Sequence, residues 1–219
     1  MHFVVSIPNK PNFKWQTELL YHTFKKFYDA SSFHVVMHLE EDNETHPSFL
    51  GVPPECMFYT KDFTHVVSGD TYSAYNKPYA LKNWLEATPL EEDEMVALID
   101  ADMLIREPLP DGLNPSAVYA SEGGRYGFMC ADRSINLLNK FFTTRDWRAL
   151  GVPYVASKKI WGENIDDWIA SIKQLRNVST LDPSSYLSWE NEMMGWQGTF
   201  LDLDAPLHGI PYNINEIWH

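Results

Sequence analysis

Cysteine is scarce in this chain: Cys56 and Cys130 are the only two among 219 residues. A single pair implies no disulfide framework, and without a C-x-x-C element no structural zinc site is expected. Long apolar runs are missing too. Nothing approaches the ~20 consecutive apolar residues of a membrane span. Met1-His2 leads straight into the strand-like Phe3–Ile7, without a basic and hydrophobic leader. Positive charge is in deficit: 17 Lys and Arg stand against 30 Asp and Glu, for a formal net charge of -13. That balance argues against a nucleic-acid partner, which needs a basic stripe, and it suits a site that gathers divalent cations. The chain reads as soluble and cytoplasmic by default, or as the catalytic piece of a longer protein. The sequons at Asn43 and Asn177 are idle without secretion. G-x-S-x-G, H-E-x-x-H, Walker A and G-x-G-x-x-G patterns are also absent, which removes the hydrolase-elbow, zincin, P-loop and Rossmann readings.

Aromatics are plentiful instead, with 8 Trp, 11 Tyr and 12 Phe. Such residues line carbohydrate or nucleotide clefts, although core packing accounts for most of them. Apolar β-rich runs predict strands at Phe3–Ile7, Phe33–Leu39, Met57–Tyr59, 65–67, Met95–Asp100, Ala117–Ala120, Tyr126–Met129 and Thr199–Leu203. Helical spacing predicts a helix from Phe13 to Tyr28, capped by Asn12, with Trp15, Leu19, Leu20, Phe24 and Phe27 as its apolar stripe. Further helices are expected over Tyr79–Ala87, Ser134–Thr144, Ile165–Leu175 and Ser188–Met194, with Trp168 as a packing residue. Strands and helices alternate early and mix later. The expected fold class is α/β, a single-domain sandwich with an antiparallel appendage.

The most informative segment is Met95-Val-Ala-Leu-Ile-Asp100-Ala101-Asp102. An apolar strand running into two aspartates delivers carboxylates at its C-terminal end, the edge of an open α/β sheet where ligands collect. Residues i and i+2 of an extended segment share a face, so Asp100 and Asp102 can converge on one hard cation, Mg2+ or Mn2+, bridging to substrate phosphates. A turn cap and a solvated aspartate would read the same way. His208, in the Gly/Pro-rich run ending in Gly209 and Pro211, would complete a three-residue metal shell, though a lone loop histidine is often only a surface residue. Asn76-Lys77-Pro78 opens a helix, where free N–H groups and a lysine attract phosphate; capping by Asn76 with Pro78 in the first turn is the plainer reading. Trp189-Glu190-Asn191-Glu192 sets an indole and two acids on a short helix, suited to the apolar face and hydroxyls of a sugar, and also to ordinary amphipathic packing.

Taken together these blocks resemble GT-A glycosyltransferases, and more narrowly the hydroxyproline O-arabinosyltransferase and peptidyl-serine galactosyltransferase group of plants and green algae. The resemblance runs through Phe3-Val-Val-Ser6, Trp15-Gln16, Tyr75-Asn-Lys-Pro-Tyr79 with Trp84-Leu85, Leu98-Ile-Asp-Ala-Asp-Met103, and Trp189 to Met193, in family order. Members of that group carry a membrane anchor and a longer chain, so a compact relative like the glycosyltransferase domains of algal viruses is the nearer comparison. The resemblance implies an α/β/α nucleotide-sugar-binding sandwich with a mixed central sheet, residues 1–105 serving the nucleotide and 106–219 the acceptor. Ser6, Ile7 and Pro8 would hold uridine. Asn76 and Lys77 would face the diphosphate, and Gly209 would lie beside it. Asp100, Asp102 and His208 would hold Mn2+ or Mg2+. The donor would be a UDP-sugar and the acceptor a glycan or glycoprotein hydroxyl. Transfer would retain anomeric configuration, with Glu192 or Glu190 orienting the acceptor or stabilising the reacting carbon, and Trp189 and Glu190 lining the acceptor site. Two rival classes remain open: a metal-dependent sugar-nucleotide phosphohydrolase or nucleotidyltransferase, and a carbohydrate-binding module.

Overall fold

The computed structural model describes residues 1–40, 48–122, 135–136, 138–143, 147–181, 191–203, 205–210 and 215–216. Its frame is a seven-stranded sheet in the order β3-β2-β1-β4-β7-β6-β8, with β1 His2–Pro8, β2 Phe33–Leu39, β3 Met57–Lys61, β4 Met95–Ile99, β6 Val118–Glu122, β7 Leu150–Ser157 and β8 Leu207–Ile210. Pairs β1–β2, β1–β4 and β2–β3 are parallel, β4–β7 and β6–β7 antiparallel, and β6–β8 parallel. The sheet is therefore mixed, and it runs unbroken across residue 105. A two-stranded ribbon pairs β5 Met103–Leu104 with β9 Asn215–Glu216.

Near-continuous apolar runs are the mark of strands covered on both faces, and β1 and β4 are such runs: all five residues of β4 are buried. Helix α1 (Pro11–Phe24) covers one face, where Phe24 meets Phe3 at 5.2 Å and Phe33 at 4.9 Å between ring centroids. The other face carries α2 (Asn76–Ala87), α3 (Lys158–Leu181) and α4 (Asn191–Leu201). There Trp84 meets His34 at 4.7 Å, and Trp196 stacks on Tyr154 of β7 at 3.9 Å. The result is the α/β/α sandwich expected. Four tryptophans (Trp84, Trp161, Trp168 and Trp196) are fully buried on this second face, so much of the aromatic surplus is core.

Several expected elements differ. Helix α1 starts at Pro11, and Asn12 lies inside it. Its buried face is Thr17, Leu20, Tyr21 and Phe24, while Trp15, Leu19 and Phe27 are exposed; the apolar stripe was offset because two overlapping helical faces are both aromatic. Residues 65–67 form turns, not a strand. Thr199 through Leu201 belongs to α4, because the Trp196 and Phe200 rings, one turn apart and 5.0 Å between centroids, need helical spacing to share the tertiary packing. Strand β7 was not anticipated, since Gly151 and Pro153 argue against a central strand. It tolerates Pro153 because its pairing with β4 stops at Tyr154, and its pairing with β6 skips from Tyr154 to Gly151. Tyr126–Met129 lies outside the described residues, and of the helix expected over Ser134–Thr144 the described part is helical at 135, 136 and 138 and turns from 139 to 141. Cys56 is a buried free thiol. Among the described residues no helix is long and apolar enough to cross a membrane.

Two predictions follow from the core. Trp161 is fully buried and its indole N–H donates to the Val96 carbonyl at 3.0 Å. Trp161→Ala should therefore cost about 3–5 kcal/mol in urea unfolding. Burial, reinforced for His34 by His2, lowers the pKa of both His34 and His38 to about 4. The unfolded chain binds those protons near pH ~6.5, so the unfolded state holds more protons between the two values. Stability should be full above pH ~6.5 and fall as the pH drops through that window towards 4. A urea midpoint unchanged between pH 7 and pH 4.5 contradicts this.

Candidate active site

Strand order 3-2-1-4 makes β1 and β4 the point where successive connections diverge to opposite sides, and the crevice beyond the strand ends opens there. A cleft of about 640 Å³ lies at the C-terminal ends of β1 and β2, lined by Ser6, Pro8, His38, Asp62, Asn76 and Lys77 among others. That volume suits a nucleotide-sized ligand. A larger depression of about 810 Å³ sits at the opposite edge of the sheet, against Met1, Asp29, Met95 and Asp111. It gathers scattered charges of both signs and none of the residues expected to do chemistry.

Asp100 follows the last residue of β4, and the chain then turns, with the Met103 N–H donating to the Asp100 carbonyl at 3.3 Å. The aspartates thus sit in a turn instead of on an extended strand. Alternation survives: Ala101 and Met103 are buried, while Asp100 and Asp102 are partly exposed. The Lys77 ammonium, from the first turn of α2, lies 2.8 Å from Asp100 Oδ1 and 3.3 Å from Glu192 Oε2. Glu192 stands in the first turn of α4 and is buried, and its Oε1 has no hydrogen-bond partner among the described residues. Burial pushes the Glu192 carboxyl up, with Lys77 pulling the other way. Burial also opposes the Lys77 charge, but Asp100 and Glu192 outweigh it and hold the ammonium firmly protonated. Three elements distant in sequence therefore meet at one partly buried charge cluster.

Two carboxylates, Asp100 and Glu192, meet one ammonium, and Asp102 follows two residues after Asp100, so the segment carries acidic groups that a divalent cation could balance. Hard oxygen donors fit Mg2+ or Mn2+ when substrate phosphates and water complete the shell. They do not make a complete cage: among the described residues no group of three His, Cys, Asp or Glu side chains is placed to hold an ion. His208 is not brought to the aspartates. It lies on edge strand β8, in register with Tyr119, then Val155, then Ala97 of β4, three strand spacings of ~4.8 Å away. Its ring stacks on Tyr119 at 5.4 Å. The expected loop is a strand because Leu207–Ile210 pairs along β6. A side chain at Gly209 would displace the Glu122 carboxylate of the Glu122–Arg148 ion pair, the flexible end of a partly exposed side chain.

The other expected residues divide. Ser6 and Pro8 line the cleft, whereas the Ile7 side chain is wholly core and only its backbone lies near the strand end. Asn76 is not a helix cap. It is buried, its Oδ1 accepting the Phe63 N–H at 2.7 Å and its amide donating to Asp62 at 3.0 Å and Thr64 at 3.3 Å, which ties the 62–76 loop together. Trp189 and Glu190 lie outside the described residues. His38 was not anticipated: its Nε2 lies 2.6 Å from Ser6 Oγ, at the cleft wall. Its place at the C-terminal end of β2 was the available signal. Asp70 and Arg176, an ion pair 106 residues apart, left no local trace.

The comparisons agree with this architecture. The chain superposes on the galactosyltransferase LgtC solved in complex with donor and acceptor sugar analogues, with a TM-score of 0.56 at 9% identity, over 94% of this chain and 73% of that one. The fold is GT-A. An active-site mutant of LgtC matches as well, with a TM-score of 0.57 at 9% identity over 94% of this chain and 72% of that one. In sequence, the chain is 29% identical over 110 residues to a peptidyl serine α-galactosyltransferase of Arabidopsis thaliana, a match covering 50% of this chain and 13% of that protein. No family model matches. Within this GT-A fold, Asn76→Ala should leave the buried Phe63 N–H unpaired and loosen the loop beside the cleft. The expected cost is about 1–3 kcal/mol in chemical denaturation, and a cost near zero refutes the tie.

Proposed function

We propose that the chain is a Mn2+- or Mg2+-dependent glycosyltransferase. In this reading it moves a sugar from a UDP-sugar to a hydroxyl of a glycan or glycoprotein, with retention at the anomeric carbon. The observation that carries the reading is the Lys77–Asp100–Glu192 cluster beside the cleft at the switch point of a GT-A sheet. Similarity to glycosyltransferases in both sequence and fold supports it. The nucleotide would lie against Ser6, Pro8 and the 62–76 loop, and Asp100 and Asp102 would face its diphosphate. The cation supplies neutralisation of charge on the departing diphosphate. His208, where it stands, has no part in that ligand set.

The acceptor hydroxyl attacks the anomeric carbon on the face the diphosphate leaves. The bond from carbon to the phosphate oxygen breaks, the bond to the acceptor oxygen forms, and the acceptor proton passes to the departing phosphate oxygen. Glu192 serves that step by orienting a hydroxyl and by placing negative charge near the electron-poor carbon. A double displacement through Glu192 is the less favoured route, because nothing fixes the distance of its carboxylate from the anomeric carbon. Lys77 bridges Asp100 and Glu192 and aims both. Trp189 and Glu190, immediately before α4 in sequence, are proposed to meet the acceptor.

A panel of UDP-sugars incubated with Mn2+ and analysed by mass spectrometry tests the reading. UDP with a glycoside, or UDP with free sugar, is expected; UMP with sugar phosphate would identify a phosphohydrolase, and metal-indifferent glycan binding without turnover a binding module. Asp102→Ala should lower turnover about a hundredfold or more and weaken calorimetric UDP–Mn2+ binding while the fold persists. Full activity in that variant removes the site assignment.

A further inference from the structure

Glu192 is held at its backbone from two sides. Its carbonyl accepts the Trp168 indole N–H at 2.9 Å, and its N–H donates to the Tyr72 hydroxyl at 3.0 Å. The first N–H groups of any helix have no partner within the helix and are ordinarily satisfied by a neighbouring side chain. Here the partner comes from 120 residues away in sequence. Tyr72 is suited to the task. It is buried, and burial together with the nearby Glu192 carboxylate raises its phenol far above neutral pH, so the hydroxyl stays neutral.

The Tyr72 ring is itself clamped. The Arg176 guanidinium of α3 lies 4.5 Å over its centroid, and Tyr75 meets it edge-on at 5.3 Å. Arg176 is locked by a two-pronged ion pair with Asp70, whose carboxylate also accepts the Tyr75 hydroxyl at 3.2 Å. Arg176 beside it holds the Asp70 carboxyl below the usual range. A planar guanidinium with both prongs engaged and a ring beneath it has little freedom left. Asp70, Arg176 and Tyr72 therefore form a rigid chain that ends on the amide of Glu192, whose carboxylate meets Lys77.

We infer that Tyr72 is a positioning residue for Glu192, a tertiary cap on α4 braced by the Arg176–Asp70 pair, which sets where the Glu192 carboxylate stands relative to Lys77 and the reacting sugar. The inference rests on the proposed transferase reading for its consequence in turnover, but the geometry can be tested without it. Tyr72→Phe keeps the ring and its stacking and deletes the hydroxyl that accepts the Glu192 N–H.

Two measurements decide the matter. Hydrogen exchange at the Glu192 amide should speed up about tenfold in Tyr72→Phe, the equivalent of one neutral hydrogen bond, and the Trp168 indole N–H resonance should move with it. Steady-state kinetics should show kcat down about tenfold with the KM for the UDP-sugar within about twofold, and a melting temperature lowered by only about 5 °C. Arg176→Lys, which keeps the charge but loses the fork and the stacking plane, should shift both readouts in the same direction. Parent-like Glu192 exchange or parent-like kcat in Tyr72→Phe overturns the positioning role. A parent protein inactive towards every UDP-sugar overturns instead the transferase reading on which the kinetic half stands.

Discussion

The site depends on one ammonium. Lys77 stands between Asp100, at the end of a central strand, and Glu192, at the start of α4. Without it, the buried Glu192 carboxylate and the partly exposed Asp100 carboxylate would be left together, where like charges repel and Glu192 is little hydrated. With it, the end of β4, the start of α2 and the start of α4 are drawn to a common point. A partly buried cluster of this kind contributes little net stability, because desolvation offsets most of the attraction. Its value lies in geometry: the two carboxylates are held at fixed positions by Lys77, which also lines the cleft.

The surrounding fold isolates that cluster from the rest of the molecule's chemistry. Four buried tryptophans and Tyr154 cement α2, α3 and α4 to one face of the sheet. Trp168 does double duty, since its ring packs in the core while its indole N–H holds the Glu192 carbonyl. The loop of residues 62–76 is internally tied by Asn76 and externally by Asp70 to Arg176. It is thus an ordered wall of the cleft, and Tyr72 carries that order across to α4.

Much of this was legible in residue order. The apolar run ending in Asp100-Ala101-Asp102 identified the carboxylates and their strand, and the helix at Asn76–Ala87 was legible from Ala80, Leu81, Trp84 and Leu85 sharing one face. What failed did so for identifiable reasons. Strand β7 was hidden by Pro153, which is admissible only because pairing lapses there on both sides. The run around His208 read as a loop because its Gly and Pro residues suggest turns, while the partner that makes it a strand is β6, far back in the chain. On α1 the exposed and buried aromatic faces differ by about one position, which spacing alone does not resolve.

The sequence by itself determined the class of the fold, strands β1 to β4 and the presence of paired carboxylates at a strand end, because burial periodicity and strand direction are local properties. Only the tertiary structure decided that Lys77 joins Asp100 to Glu192, that His208 stands on the far edge strand, and that Tyr72 caps the helix bearing Glu192. Those pairings span 23 to 120 residues, and no local pattern encodes which distant side chain a folded sheet will bring alongside.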